Sequence, residues 1–218
     1  MVDRIRALIF ANGDLKSGTM LDRTFEDLRN SGDKHMIVAA DGGARLAKKL
    51  DFAIDLLIGD MDSLTEDDLK AIDASGAEIK RVSPEKDETD LELALKIVIE
   101  RGVNWIRIIG ATGGRLDQLL GNVHLLTLPY LCDVDVRLIA GEQETRLLSA
   151  GEHVINGNEG DTVSLLPIGG DVLNIKTENL QYPLNGEPLF FGPARGISNV
   201  MLADSARVTF DAGRLLLI

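Results

Sequence analysis

The chain has 218 residues, of which 44% are hydrophobic and 27% are charged. These ordinary globular values exclude a disordered chain, a collagen-like repeat and a coiled coil, and the length predicts one large domain or two small ones. With 23 basic and 35 acidic side chains the net charge is −12, which disfavours binding to nucleic acid and docking on an anionic membrane.

The sequence contains no pattern typical of export or membrane insertion. The apolar run near the N-terminus covers only residues 7–11, which is too short for the core of a signal peptide, and no stretch approaches the length of a membrane span. We therefore expect a cytoplasmic protein with no membrane partner.

Residues 1–140 alternate short apolar runs with segments of helical periodicity. The apolar runs, which predict strands, are RALIFANGD, MIVAADGG, DLLIGDMDS, AEIKRVSP, NWIRIIGATGG and VDVRLIAG. Because parallel strands buried on both faces have continuous apolar runs, this alternation predicts a parallel sheet covered by helices on both faces. The predicted fold class of this part is α/β, a Rossmann-like domain whose sheet is mostly parallel.

Two of the predicted helices have clear boundaries. Thr89–Arg101 has an apolar face and begins with a capping box, in which Thr89 accepts from an orphan amide and Glu92 reaches back. Leu116–Leu128 ends at Pro129. Its predicted apolar stripe consists of Leu116, Leu119, Leu120, Val123 and Thr127.

Residues 141–218 are richer in turn-forming residues, because 14 of these 78 residues are glycine or proline, against 14 of the first 140. The segments DTVSLLPIGG, DVLNIKTENL, ISNVMLA and ARVTFDAGRLLLI predict short strands. Asp211-Ala212-Gly213, inside the last of these segments, is typical of a hairpin connection between RVTF and RLLLI. A C-terminal antiparallel β-sandwich domain is therefore expected, with the domain boundary between residues 140 and 141.

Acidic residues follow several predicted strands. Asp41 ends the second apolar run, Asp60 and Asp62 end the third, and Asp87 lies in the loop before the Thr89 helix. Ligands of open α/β sheets bind beyond the carboxyl ends of the strands, so these four acids are expected to meet there. Crowded carboxylates repel one another unless a cation joins them, and oxygen ligands without His or Cys suit Mg²⁺.

The alternative is that these acids cap helices, with Asp60 or Asp62 serving the helix that begins near Thr65.

The segment GATGGR follows the fifth predicted strand. Gly113 and Gly114 would let backbone amides approach an anion, the helix start adds a positive dipole end, and Arg115 can fork onto phosphate oxygens. The alternative is an ordinary glycine-rich connection. The chain contains neither a Walker A motif nor a G-x-G-x-x-G fingerprint, so a phosphate site here would be of another type.

Three other chemically reactive or aromatic residues are interpreted as structural. Cys132 is expected to be a small buried hydrophobic residue, His124 a packing residue on an apolar helix, and Trp105 a core residue of its strand.

Taken together, these motifs resemble the thiamine pyrophosphokinase family. The segments ADGGA, IGDMDS, EKDETDLELAL, GATGGRLDQ, NLQYPL and RGISN occur in the family's order between about Asp41 and Asn199. The resemblance implies an ATP- and Mg²⁺-binding domain over residues 1–140, a thiamine-binding domain over residues 141–218, and a homodimer with shared active sites. It also implies transfer of pyrophosphate from ATP to the hydroxyl of thiamine, which leaves AMP.

The resemblance further implies roles for individual residues. The implied ligands of Mg²⁺ are Asp41, Asp60, Asp62 and Asp87. The implied catalytic residues are Asp60, Asp62, Asp87 and Asp90, and either of the last two could accept the thiamine hydroxyl proton. The implied ATP-binding residues are Asp41, Gly42, Thr89, Gly113, Gly114, Arg115, Asp117 and Gln118, with Asp117 holding either Arg115 or a ligand hydroxyl. Ser198 and Asn199 are the implied thiamine contacts.

The chain departs from the family pattern at two positions. Gln118 replaces a common histidine, and Val200 replaces a frequent glutamate. No tryptophan follows residue 140. Stacking on thiamine would therefore fall to Tyr182, Phe190 or Phe191. The alternative role of each of these residues is core or interface packing. Two other functions stay open: the same ATP and Mg²⁺ chemistry on another alcohol, or a non-catalytic relative that binds thiamine or a nucleotide.

Overall fold

The computed structural model describes residues 5–218. The chain forms two compact units that divide between Glu144 and Thr145, whereas the boundary predicted from the sequence lies at residue 140. Within the described part of the chain, no helix combines the length and hydrophobicity needed to cross a lipid bilayer.

The first unit alternates strands with helices along the chain, as the pattern of apolar runs predicts. Its elements are β1 (Ile5–Phe10), α1 (Thr19–Asn30), β2 (Lys34–Ala40), α2 (Gly43–Lys49), β3 (Leu56–Gly59), α3 (Glu66–Ala74), β4 (Glu78–Arg81), α4 (Asp90–Glu100), β5 (Trp105–Ile109), α5 (Leu116–Leu125), a 3₁₀ turn (Pro129–Leu131) and β6 (Asp135–Ala140).

The six strands of this unit form a parallel ladder in the order β4-β3-β2-β1-β5-β6. The chain first builds the sheet outward from β1 to β4 and then returns to the other side of β1 with β5. In doubly wound sheets of this kind, the point where the strand order reverses leaves a crevice at the carboxyl ends of the strands. The predicted Rossmann-like α/β class is confirmed.

Both faces of this sheet are covered. Leu8 and Phe10 are fully buried in a cluster with side chains of α1 and α2. Ala7 and Ile9, which point to the opposite face, are also fully buried, and α4 contacts β2 and β3. Trp105 is 4% exposed, so its predicted core position is confirmed.

Helix α4 forms as predicted, with the Thr89 half of its capping box in place. The Oγ1 atom of its N-cap, Thr89, accepts a hydrogen bond of 3.2 Å from the backbone amide of Glu92. The predicted apolar face is buried and comprises Leu91, Ala94, Leu95 and Val98.

Helix α3 depends on a single hydroxyl for its N-terminal cap. Thr65 Oγ1 accepts from the Asp68 amide at 3.2 Å and donates to the Asp68 carboxylate at 2.8 Å. Because no residue of this helix is buried, packing offers little compensation for a lost cap. We expect Thr65→Ala to lower the free energy of unfolding by about 1 kcal/mol, measured by urea denaturation. Thr65→Ser should retain the wild-type value, and an unchanged midpoint for the alanine variant would contradict this role.

The predicted packing of α5 is wrong in several respects. The helix ends at Leu125 rather than Leu128, because the chain tightens into the turn at Pro129. Leu116 and Leu120, from the predicted apolar stripe, are 69% and 49% exposed. Within α5 only Leu125 is buried. Leu119, Val123 and Thr127, the other residues of the stripe, are half-buried.

His124 and Cys132 are both exposed, so their predicted roles as packing and buried residues are also wrong. His124 lies on the outer side of α5, and Cys132 follows the short 3₁₀ turn rather than entering a strand. Periodicity shows where an apolar stripe lies on a helix but not whether that helix meets the sheet along it.

The second unit consists of antiparallel ladders. Its strands are β7 (Gln143–Asn156), β8 (Thr162–Val163), β9 (Leu165–Pro167), β10 (Lys176–Glu178), β11 (Asn199–Val200) and β12 (Ser205–Leu217). Strand β12 pairs with β7, β9 and β10, and β8 pairs with β11. Side chains of both ladders share one buried cluster, including Leu148, Val163, Met201 and Phe210, in agreement with the predicted antiparallel β-sandwich.

The predicted hairpin at Asp211-Ala212-Gly213 does not form. Phe210 is aligned with Gly151 and Arg214 with Ser149, so the three residues between them are a bulge within one continuous strand. The segments on either side of the bulge both pair with β7, not with each other. Gly213 has φ +99°, and a Cβ at this position would lie 2.9 Å from Val172 Cα, so the bulge requires glycine.

Candidate active site

A cavity of about 570 Å³ lies in the first unit beyond the carboxyl ends of β1, β2, β3 and β5. It therefore occupies the place where the strand order reverses. Its walls come from the loops after these strands and from the first turns of α4 and α5. The lining residues are Ala11, Asn12, Gly13, Ala40, Asp41, Asp60, Asp62, Ser63, Lys86, Thr89, Asp90, Leu91, Gly110, Ala111, Gly113, Gly114, Arg115, Gln118 and Asn122.

Three of the four predicted metal ligands meet on one wall of this cavity. Asp41, Asp60 and Asp62 each offer a carboxylate oxygen, and these oxygens lie within 4.8 Å of one another. Asp41 is only 8% exposed, and its Oδ1 atom has no hydrogen-bond partner among the described residues. Asp60 is half-buried and Asp62 is exposed.

The backbone around these acids is held in unusual conformations. Asp41 has φ +44° and its amide donates to Ile58 O at 2.7 Å, which joins the end of β2 to β3. Met61 has φ +70° and buries its side chain in the core, so it anchors the loop between Asp60 and Asp62. Left-handed non-glycine residues cost about 1–3 kcal/mol each and are concentrated at functional sites.

The acids do not serve as helix caps in this structure. The N-cap of α3 is Thr65, so the alternative that Asp60 or Asp62 caps this helix is wrong. A buried carboxylate oxygen without a hydrogen-bond donor is costly unless a cation neutralises it. Asp41 has such an oxygen, and three carboxylates on one wall fit the ligand preference of Mg²⁺, which binds few carboxylates and retains water.

The predicted convergence of all four acids is not observed, because Asp87 is exposed on the loop before α4 and does not line the cavity. Asp90, in the first turn of α4, lines it instead. Lys86 Nζ lies 2.9 Å from Asp90 Oδ1, with the two side chains 16% and 23% exposed. Burial raises the pKa of Asp90; Lys86 lowers it, and the nearby carboxylates of Asp41 and Asp60 raise it further. A ligand role for Asp87 remains a prediction from the sequence.

The glycine-rich segment forms the opposite wall. Gly110, Gly113 and Gly114 have φ of +73°, +86° and +65°. Residues that carry a Cβ adopt such positive φ values only at a cost in free energy. This loop is tied to the loop after β1, since Gly13 N donates to Gly110 O at 2.7 Å and Asp14 N donates to Thr112 O at 3.2 Å. The backbones of the two loops are thus joined by two hydrogen bonds.

Arg115 and Asp117 form a bidentate ion pair where α5 begins. Arg115 Nε and Nη2 lie 3.1 and 2.6 Å from the two carboxylate oxygens, and Gln118 N donates to Asp117 Oδ1 at 2.9 Å. The Arg115 hydrogen bond, followed by that of the Gln118 amide, lowers the pKa of Asp117. Of the two alternatives for Asp117, the structure shows the contact with Arg115. Both side chains are exposed, so the guanidinium is accessible to an incoming anion.

The sequence interpretation missed four polar residues of the cavity, Asn12, Ser63, Lys86 and Asn122. Asn12 follows β1, so applying the strand-end argument to the first strand as well as the later ones would have found it. Ser63 and Lys86 adjoin predicted acids in the chain. Asn122 Nδ2 donates to Ala111 O at 2.8 Å across the loop after β5, and no sequence signal indicates this contact.

The predicted thiamine contacts lie in the second unit. Ser198 is exposed, with φ +59°, and its amide donates to Ser164 Oγ at 3.1 Å. Asn199 is buried; its Oδ1 accepts from Tyr182 N at 2.9 Å and its Nδ2 donates to Tyr182 O at 2.8 Å. The amide of Asn199 is thus used to hold the Tyr182 backbone, and its contact with thiamine remains a prediction.

The three aromatic residues considered for stacking are exposed in this unit. Tyr182, Phe190 and Phe191 are 62%, 54% and 60% exposed. Core packing, one of the alternatives for these residues, is therefore wrong.

Comparison with known proteins gives matches to both units. Residues 29–138 match the family model described as the catalytic domain of thiamin pyrophosphokinase, and residues 152–215 match that of its vitamin B1 binding domain. Thiamine pyrophosphokinase of Bacillus subtilis (strain 168) is 32% identical over 161 residues, which are 73% of this chain and 75% of the relative.

Solved structures with the same fold agree with this assignment. The thiamine pyrophosphokinase structure from Bacillus subtilis has a TM-score of 0.83 at 26% identity and covers 98% of this chain and 97% of its own. That of thiamin pyrophosphokinase from Geobacillus thermodenitrificans has a TM-score of 0.80 at 28% identity, with coverage of 98% and 95%. On the evidence of these matches, the chain belongs to the thiamine pyrophosphokinase family.

Proposed function

We propose that this chain transfers the pyrophosphoryl group of ATP to the hydroxyl of thiamine, giving thiamine diphosphate and AMP. The observation that carries the proposal is the cavity lined both by Asp41, Asp60 and Asp62 and by a glycine-rich loop with an accessible arginine. Membership of a family whose relatives are named for this activity supports it.

Asp41, Asp60 and Asp62 are the residues that would hold Mg²⁺, with Asp87 as a further ligand predicted from the sequence. When bound, the ion would neutralise phosphate charge and polarise a phosphoryl oxygen. The buried, unpartnered Asp41 Oδ1 supports this assignment, because this atom lacks any other stabilising contact among the described residues.

Asp90 is the better candidate of the two proposed proton acceptors. Its carboxylate lines the cavity, whereas Asp87 is exposed outside it. The pKa of Asp90, which burial raises, makes its carboxylate a stronger base than that of an ordinary aspartate. Lys86 would orient the Asp90 carboxylate through their 2.9 Å ion pair.

The other wall of the cavity is suited to the phosphates of ATP. The amides of Gly113 and Gly114 and the N-terminus of α5 would approach phosphate oxygens, and Arg115 would fork onto them. Asp117 would position the guanidinium through its bidentate contact. Gly42, Thr89 and Gln118 complete the proposed ATP site.

Residues 141–218 are proposed to bind thiamine through Ser198 and Asn199, within a homodimer that shares its active sites. Residues 1–140 are correspondingly proposed to bind ATP and Mg²⁺. A cytoplasmic location remains a prediction from the sequence.

We expect the purified protein to form AMP and thiamine diphosphate in equal amounts when supplied with ATP, Mg²⁺ and thiamine. Chromatographic detection of both products, with a control lacking thiamine, tests this directly. Formation of ADP in place of AMP, or AMP formation without thiamine, would contradict the proposed reaction.

A panel of other alcohols separates the alternatives. Faster turnover of another acceptor would indicate the same chemistry with a changed substrate, which the replacements at Gln118 and Val200 would explain. Thiamine binding without AMP release would indicate a non-catalytic relative.

A further inference from the structure

A hydrogen-bonded group formed by Arg45, Asn12 and Ser63 lies beside the three-carboxylate wall. We propose that this group, which we call the Arg45 bracket, orients the Asp62 carboxylate and so sets the affinity of the site for a divalent cation. The inference rests on the proposed function, in which Asp41, Asp60 and Asp62 hold the metal, and it assigns to Arg45 a positioning role.

Arg45, on α2, joins the loops after β1 and β3. Its Nη1 donates to Ser63 O at 2.8 Å, and its Nη2 donates to Asn12 Oδ1 at 3.1 Å. Asn12 Nδ2 in turn lies 3.4 Å from Ser63 Oγ. One planar guanidinium therefore holds two separate loops, an arrangement that the fork of donors on arginine makes possible.

The Arg45 bracket contacts the three-carboxylate wall through Ser63. Ser63 Oγ donates to Asp62 Oδ1 at 3.0 Å, and Asp62 N donates to Asp60 Oδ1 at 3.1 Å. Holding Ser63 thus restrains Asp62 directly and leaves the other Asp62 oxygen available. Outer partners of this kind fix the orientation of ligating carboxylates.

Asp62 is the member of the group that most needs such support. Asp41 is buried and its backbone is joined to β3, whereas Asp62 is exposed and its side chain has no surrounding core. An unrestrained exposed carboxylate loses side-chain entropy when it binds an ion. Because the bracket already restrains Asp62 in the metal-free protein, less side-chain entropy would be lost when the ion binds.

The local packing leaves room for the bracket. A Cβ at position 42 would overlap the side-chain amide of Asn12, so Gly42 allows Asn12 to lie where it meets Arg45. Arg45 itself does not line the cavity, and it therefore acts on the site only through Ser63 and Asn12.

Isothermal titration calorimetry of the substrate-free protein with Mn²⁺ tests the proposal without relying on activity. We expect Arg45→Met to weaken Mn²⁺ binding by about 10- to 100-fold, the usual effect of losing an outer partner of a metal ligand. Ser63→Ala should produce a loss of similar size. Arg45→Lys should be intermediate, since an ammonium cannot reproduce the planar fork.

Lys49→Met is the matched control, because Lys49 is a cation on the same helix with no hydrogen bond to the bracket among the described residues. It should bind Mn²⁺ as the wild type does. Thermal unfolding of every variant, recorded alongside, should show little change, which distinguishes positioning from a general loss of structure.

Wild-type affinity in folded Arg45→Met would overturn the inference, as would a wild-type protein that binds no Mn²⁺. If Arg45→Met does not fold, Ser63→Ala decides, and wild-type affinity in that variant would overturn the inference too. Product analysis keeps the two proposals separate: absent AMP formation together with the expected Mn²⁺ losses would refute the proposed reaction but support the bracket.

Discussion

Asp60→Asn is expected to reduce AMP formation by about 10³-fold or more, since stabilisation of the transferring phosphates by a bound metal is worth roughly several kcal/mol. Asparagine keeps the size of the side chain but removes the charge that Asp60 contributes beside Asp41 and Asp62. Steady-state rates with saturating ATP and thiamine, measured over a range of Mg²⁺ concentrations, give the size of the effect.

The fold should survive this substitution, because Asp60 is only half-buried and loses little packing. Asp73→Asn, on the exposed end of α3, is the matched control and should retain wild-type activity. Circular dichroism and thermal unfolding should be unchanged in both variants. Wild-type turnover in Asp60→Asn would remove Asp60 from the catalytic group.

The second large effect concerns stability rather than turnover. Arg107 on β5 is buried, with its side chain 6% exposed, and its guanidinium carbon lies 4.1 Å from the centre of the Trp105 ring. Arg107 Nη2 lies 2.8 Å from Asp135 Oδ2, and Arg137 Nε lies 2.9 Å from Asp135 Oδ1. Asp135 is thus the shared counter-charge of two arginines.

We expect Asp135→Asn to lower the free energy of unfolding at neutral pH by about 2–3 kcal/mol, measured by urea denaturation. Removing one partner leaves Arg107 buried without its carboxylate, which typically costs about 3–5 kcal/mol for a fully buried pair. The expected value is lower because Asp135 is 40% exposed, so water screens part of the interaction.

The effect should depend on pH in a defined direction. Burial raises the pKa of Asp135, but attraction and hydrogen bonds from Arg107 and Arg137 outweigh it and lower the pKa to about 2. A carboxylate whose pKa is lowered in the folded state stabilises the protein at pH values above its ordinary pKa of 3.8. The difference between wild type and variant should therefore be full at neutral pH and shrink as the pH falls from about 4 toward 2.

Asp133→Asn supplies the control, since Asp133 is exposed and lies two residues away in the same segment. It should unfold as the wild type does at every pH. A difference for Asp135→Asn that stays constant down to pH 2 would show that the carboxylate charge is not the cause.

The strands and capped helices could be predicted because their signals are local. The apolar runs at Ala7–Phe10 and Leu56–Ile58 are long enough to require burial on both faces, and Thr89 lies at the spacing that a helix cap requires. The location of the acids at strand ends was also predictable, because parallel strands place their carboxyl ends at one edge. The grouping of Asp41, Asp60 and Asp62 could therefore be predicted without the tertiary structure.

The remaining features depended on contacts between distant parts of the chain. Asp87 and Asp90 are three residues apart, and only the path of the loop into α4 placed Asp90 in the cavity and left Asp87 exposed. The last strand remained continuous across Gly213 because both halves pair with β7, a preference that the local turn signal does not contain.

The sequence by itself determined the order of elements in the first unit and the chemistry of its strand ends, since both follow from the sizes, polarities and spacing of neighbouring residues. Only the tertiary structure decided which face of α5 is exposed and which side chains support the acids, as in the contact of Arg45 with Ser63 across 18 positions. The physical reason is that such contacts are selected by packing and hydrogen bonding among segments brought together by the fold, and no single segment carries that information.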